Sequence, residues 1–185
     1  MRRTAALAFV ALVLAGCATS PALVAPIRPE GDAPFAIEGR LLARHGSDAL
    51  TANFQWTHAP PIDALVVTTP MGQGIAEIRG DASARRVEVR GANGLTDEAP
   101  DWSTLTERAL GAPVPVDGLA VWMQGLALPA TPHTQERDAA GRVAQLRQDG
   151  WQVVFDYPDA SATRPARVRL TRADIEVRIV VDRWD

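Results

Sequence analysis

A chain of 185 residues, 46% of them apolar, is long enough to bury one sizeable core and too short to suggest a second domain. Its 19 basic residues, all arginine, stand against 22 acidic ones for a net charge of −3, a sign that opposes an electrostatic grip on nucleic acid or on anionic headgroups. The single cysteine, Cys17, excludes an intrachain disulfide.

The chain opens with Arg2 and Arg3, an apolar stretch from Ala5 to Ala15, and Gly16 before Cys17. This is the pattern of a secretory signal peptide and is too short for a transmembrane helix. Leu14-Ala15-Gly16-Cys17 resembles the bacterial lipobox. That resemblance implies cleavage after Gly16, an N-acyl diacylglycerol group on Cys17, and, with Ala18 rather than Asp next, a place on the periplasmic face of an outer membrane. Three acyl chains at about 0.8 kcal/mol per buried methylene suffice for stable attachment. Loss of residues 1–16 would leave 169 residues and, with Arg2 and Arg3 gone, a net charge of −5. Residues 17–34 carry Pro21, Pro26, Pro29 and Pro34 without periodicity and read as a tether. The folded domain is expected over residues 35–185.

Period-two alternation dominates the next stretch. Phe35, Ile37, Gly39 and Leu41 mark a first strand, and Ala52, Phe54 and Trp56 a second. Pro60-Pro61 breaks the chain before a strand over Ala64 to Thr69. A Pro70-Met71-Gly72 turn leads into Gly74 to Arg79, and Val87 and Val89 mark a further strand closed by Gly91-Ala92-Asn93-Gly94. Asp101 is placed to cap a helix from Trp102 to Leu110, with Gly111 at its stop. A second helix, capped by Asp117, would align Leu119, Trp122, Met123 and Leu126 in one apolar stripe. Strands return at Val143 to Arg147, Trp151 to Tyr157, Arg167 to Leu170 and Ile175 to Trp184. Strands, two helices, then strands point to one antiparallel sheet curling around a helical insertion.

No catalytic constellation emerges, and no enzymatic activity is expected. His45, His58 and His133 sit in polar or loop-like contexts without zinc-ligand spacing, and no nucleophile elbow is present. Gly72-Gln73-Gly74 is a turn between strands rather than a phosphate loop, because Glu77 occupies the place of a third glycine. Neither a metal nor a cofactor beyond the lipid on Cys17 is expected. The five tryptophans, Trp56, Trp102, Trp122, Trp151 and Trp184, either fill a β core or line an apolar cavity wide enough for lipid.

Six segments carry a family resemblance in order behind the lipobox: Phe35-Ala36-Ile37-Glu38-Gly39-Arg40-Leu41, Phe54-Gln55-Trp56, Pro70-Met71-Gly72, Leu110-Gly111-Ala112-Pro113-Val114-Pro115-Val116, Trp122-Met123-Gln124-Gly125 and Gly150-Trp151-Gln152-Val153. Together they resemble the LolB family, outer-membrane receptors of the lipoprotein-localisation pathway. The resemblance implies an incomplete antiparallel β-barrel of about eleven strands, with helices plugging its opening, around an apolar cavity. It also implies that the protein, a monomer, takes lipoprotein acyl chains from the soluble carrier LolA and delivers them into the outer membrane without nucleotide hydrolysis. On this reading Trp56, Leu119, Trp122, Met123, Leu126 and Trp151 supply the cavity, with core packing as the alternative for each. Pro70, Met71 and Gly72 form the membrane-inserting loop, with Met71 where the family usually has Leu. The apolar Leu126-Ala127-Leu128-Pro129 also departs from the family's usual short stretch. A structural or assembly lipoprotein would share the anchor and the β domain but lack the apolar interior.

Overall fold

The computed structural model describes residues 32–110, 113–129 and 131–185. Cys17, the signal and the tether up to residue 31 lie outside the described residues, as do Gly111 and Ala112. Among the described residues eleven strands form one antiparallel sheet: β1 Phe35–His45, β2 Asp48–Ala59, β3 Ile62–Thr68, β4 Gly74–Asp81, β5 Arg86–Gly91, β6 Thr96–Ala99, β7 His133–Arg137, β8 Val143–Gln148, β9 Trp151–Asp156, β10 Arg167–Arg172 and β11 Ile175–Trp184. The order across the sheet is β6-β5-β4-β3-β2-β1-β11-β10-β9-β8-β7, so β6 and β7 are its two free edges. Helices α1 (Trp102–Leu110) and α2 (Val116–Met123) occupy the connection between those edges. The sheet is therefore unclosed, as the incomplete barrel expected from the sequence requires.

Alternation sets the faces. Phe35 and Ile37 on β1, Phe54 and Trp56 on β2, Val153 and Phe155 on β9, and Ile175, Val177, Ile179 and Val181 on β11 point inward into one continuous apolar cluster. The outer face carries arginine pairs such as Arg40 with Asp182, Arg183 with Glu38 and Arg178 with Glu176. Each is solvent-exposed and adds little to stability.

Two strands carry no signal in the sequence. β7 is exposed at every position, so no residue is forced to alternate, and β6 is four residues long with one buried side chain. They are edges, where one neighbour is missing and the burial pattern fades.

Helix α1 begins as its sequence predicts: Asp101 Oδ1 accepts the Thr104 N–H at 2.7 Å. Its Trp102 lies over Gly80 of β4, where a Cβ would come within 2.5 Å of the indole nitrogen. Helix α2 differs from expectation at both ends. Pro115, not Asp117, is the N-cap and contributes no side-chain bond, so Asp117 falls in the first turn, where its charge still faces the helix dipole. At the other end Gly125, at φ 74, closes a Schellman motif: its N–H reaches Trp122 O at 2.8 Å and the Leu126 N–H reaches Val121 O at 3.4 Å. The helix stops at Met123, and Leu126 leaves the expected stripe. Val116 and every residue from Gly118 to Met123 are buried, because α2 sits inside the curl rather than on a surface.

What fixes α2 there is Gln148 at the end of β8, buried and fully bonded. Its Oε1 accepts Trp122 Nε1–H and the Leu128 N–H, both at 2.9 Å, while its Nε2 donates to Leu128 O at 2.9 Å and Thr131 O at 3.0 Å. Gln148→Leu should therefore strand two donors and two acceptors. At about 1–3 kcal/mol for each group left unsatisfied, partly relieved by water, chemical denaturation should show a loss of about 3–5 kcal/mol. Gln148→Glu, which sets a buried carboxylate oxygen against the carbonyls of Leu128 and Thr131, should also fall well below the parent.

Candidate functional site

Of the residues expected to line a cavity, Trp56, Leu119, Trp122, Met123 and Trp151 are all buried in the central cluster, brought together from β2, α2 and β9. In this arrangement the inner face of the sheet is filled by side chains. Open space begins at the edge of that cluster, in a pocket of about 360 Å³ under the turn that follows α2. Val121, Leu126, Ala127, Pro129, Val143 and Tyr157 give it an apolar wall, and Arg137 and Arg142 stand at its rim. That volume is at the low end for sites that hold small ligands. Leu126 is the one expected cavity residue that faces it. Gln124 also lines it, and its Oε1 is buried without a partner among the described residues.

The expected loop lies elsewhere. Thr69 to Gln73 form the turn between β3 and β4, closed by Thr69 N–H to Gln73 O at 2.7 Å and Gly72 N–H to Thr69 O at 2.8 Å. Met71 stands at its tip with 88% of its surface exposed, the most open large apolar side chain in the described chain. It does not fold back onto the domain. Turn tips are normally polar, so an apolar side chain held in water is unusual here.

A sequence model of the family described as "Outer membrane lipoprotein LolB" matches residues 33–184. The chain belongs to the LolB family. An "Outer-membrane lipoprotein LolB" of Thiobacillus denitrificans is 36% identical, with all of this chain and 98% of that one covered. One of Chromobacterium violaceum is 33% identical over all of this chain and 99% of its own, and one of Azoarcus sp. is 35% identical over all and 96%. Among solved structures, the Mycobacterium tuberculosis lipoprotein LppX aligns over 80% of this chain and 85% of its own at 13% identity and a TM-score of 0.35.

This LolB-family domain also contains a polar cluster at the start of β1 that the sequence did not reveal. His58, read there as a histidine in a polar loop, lies on β2 and is 4% exposed. Its Nδ1 is 2.8 Å from Asp63 Oδ1 and its Nε2 is 2.8 Å from Asp32 Oδ1. Asp63 in turn accepts Trp56 Nε1–H at 2.6 Å. Phe35 covers the imidazole at 5.0 Å between ring centroids. Both ring nitrogens are occupied by carboxylates, which leaves neither to act as a base. The contact also shows that Asp32, within the stretch read as tether, is already bound to the domain. The missing signal is the inward-pointing position of His58 two residues after Trp56, on the same face of β2.

Burial works hardest against a charge on His58, but the hydrogen bonds and charges of Asp63 and then Asp32 outweigh it and raise its pKa above the ordinary value of 6.5. The folded state thus holds this proton more tightly than the unfolded chain. Its contribution to stability is complete below pH 6.5 and is lost as pH rises through the folded pKa. Thermal melts taken from pH 6 upward should show the parent losing more stability than His58→Gln, which has no proton to lose. Parallel curves for the two proteins would mean that folding does not raise the pKa of His58.

Proposed function

We propose that this protein is the outer-membrane receptor of the lipoprotein-localisation pathway, held to the periplasmic face by lipid on Cys17, that accepts cargo from the carrier LolA and passes its acyl chains into the bilayer. The observation that carries this reading is an unclosed sheet whose inner face is predominantly apolar and whose gap is covered by helices rather than by a strand ladder. Such a cover can shift without breaking sheet hydrogen bonds. Acyl chains start at the pocket beside Leu126 and gain their full contact by parting α2 from the sheet, where Trp56, Leu119, Trp122, Met123 and Trp151 become the walls. The polar linkages of the cargo remain near the rim, and an amide N–H carried inside the pocket fits the buried acceptor of Gln124.

No nucleotide is needed for direction. Each methylene left in water costs about 0.8 kcal/mol, so the chains pass from one shelter to the next without exposure. A receptor that binds them about 1.4 kcal/mol better than the carrier gains a tenfold bias, and the bilayer is a still larger apolar reservoir. The protein acts by binding alone and catalyses no covalent step. Met71, at the exposed β3–β4 tip, enters the membrane interface and brings the domain onto the surface where the chains leave.

Two measurements test this reading. Cys17→Ala should move the protein from the membrane to the soluble periplasmic fraction, because the acidic domain has no electrostatic substitute for the anchor. In a two-step assay with loaded carrier, receptor and liposomes, Met71→Glu should fold and accept cargo as the parent does, yet deliver about tenfold less, since a carboxylate at the tip opposes insertion. Met71→Leu should match the parent. Delivery by the Glu variant at the parental rate would remove the loop from the mechanism.

A further inference from the structure

The strand register gives the sheet two ends. Asp32, the Pro60-Pro61 turn and the C-terminus lie at one, which we call the tether end. At the other, distal end are the turns β1–β2, β3–β4, β5–β6, β8–β9 and β10–β11. Among the described residues, the large apolar side chains most exposed to water are Met71 at 88% and Leu95 at 71%. Both are at the distal end. Leu95 closes the β5–β6 turn, the hairpin next to that of Met71, and the two are linked through β4 by Ala92 N–H to Ile75 O at 3.0 Å.

The β5–β6 turn is held in shape without any help from the Leu95 side chain. Gly91 N–H reaches Leu95 O at 2.8 Å, Gly94 N–H reaches Gly91 O at 2.9 Å, and Leu95 N–H reaches Asn93 Oδ1 at 3.0 Å. Gly94, at φ 78, makes the reversal. A leucine here contributes nothing to packing, so its exposure is unexplained by the fold.

Charge distinguishes these two tips from their neighbours. Residues 69–76 and 91–96 contain no Asp, Glu, Arg or Lys, in a chain that is 22% charged. The other distal turns are bounded by Asp48, by Asp149, and by Arg172 with Asp174. A surface that is apolar at two points and uncharged around them suits the interface of a bilayer, where an acidic domain must approach anionic headgroups.

Reach permits it. Fourteen residues separate Cys17 from Asp32, and at no more than about 3.6 Å each they span up to about 50 Å. The eleven residues of β1 run about 35 Å at about 3.3 Å each. A domain anchored by its tether end can thus set its distal end on the membrane that holds Cys17.

We propose that the β5–β6 hairpin inserts Leu95 into the same bilayer interface as Met71, so that the domain docks through two adjacent uncharged tips and is held in one orientation. The proposal rests on the insertion of Met71, and it adds a second contact. A single point leaves the domain free to rotate about the loop, whereas two points on neighbouring hairpins fix which edge of the sheet faces the lipid.

The test uses the mature chain, residues 17–185, with Cys17→Ala, which removes the only cysteine. Single cysteines are placed by Leu95→Cys, Met71→Cys or Ser47→Cys and labelled with an environment-sensitive fluorophore. Each is mixed with vesicles of phosphatidylethanolamine and phosphatidylglycerol carrying nitroxide lipids. Blue-shifted emission with nitroxide quenching at 95 and 71, and neither at 47 on the β1–β2 tip, is the expected result. Unlabelled Leu95→Glu should melt like the parent and bind vesicles about tenfold more weakly, with Leu95→Met close to the parent. A label at 95 that stays in water while that at 71 is immersed overturns this inference and leaves the Met71 loop standing. Labels in water at both positions overturn both. If Leu95→Glu instead impairs acceptance from the carrier in solution and leaves vesicle binding unchanged, the tip is a protein-docking surface and the inference fails.

Discussion

The arrangement of this domain depends on one buried amide. An open sheet with an apolar inner face must cover that face, and the cover here is the segment that links the two unpaired edges. Gln148 holds it. With two lone pairs and two hydrogens, the amide satisfies both backbone groups of Leu128, the indole of Trp122 and the carbonyl of Thr131, leaving nothing over. Because all four bonds come from one side chain, the turn after α2 and the helix itself are coupled to the end of β8 as a unit. At the opposite edge α1 is held by Trp102 over Gly80 and by exposed Arg108, whose Nη1 donates to Glu98 O at 3.0 Å and to the Asp97 carboxylate at 3.4 Å. The lid is thus bonded through a buried amide on the β7 flank and through packing and an exposed guanidinium on the β6 flank.

That difference bears on how such a lid opens. Packing contacts are individually small and can be replaced by equivalent contacts with an acyl chain, so exchange of helix for lipid along the inner face is nearly neutral in energy. Bonds from a buried amide have no such replacement. In the proposed opening, which begins at the pocket beside Leu126, Gln148 keeps both bonds to Leu128 and gives up only that from Trp122 Nε1–H. Among the described residues two buried groups, Gln124 Oε1 and Trp151 Nε1, have no hydrogen-bond partner. Each is a standing cost that a bound polar group can relieve.

Much of this was legible in the sequence. Strands with one face in the core declare themselves by alternation: β11 runs from Ile175 to Trp184 as its pattern predicts. Asp101 announced α1, and Gly125 held the stop signal of α2 although the stripe was extended past it to Leu126. The edges were not legible, because β7 has no buried side and nothing selects its residues by polarity. Nor was the His58 cluster. Asp32, His58 and Asp63 meet only once β1, β2 and β3 are aligned, and a buried histidine between carboxylates has no spacing rule. Gln148 was invisible for the same reason, since its partners lie 17 to 26 residues away along the chain. Met71 was the easier case: an apolar residue between Pro70 and Gly72 contradicts the ordinary chemistry of turns, and that contradiction is local.

The same logic connects the two ends of the molecule. The Asp32–His58–Asp63 chain fixes where residue 32 meets the sheet. In the proposed arrangement the domain can bring to the membrane only the surfaces that this exit point allows. The pocket opens on the β7 flank, whereas the uncharged tips at Met71 and Leu95 belong to the β6 half of the sheet. Cargo taken up at one edge and released toward the other must pass across the helices that bridge them.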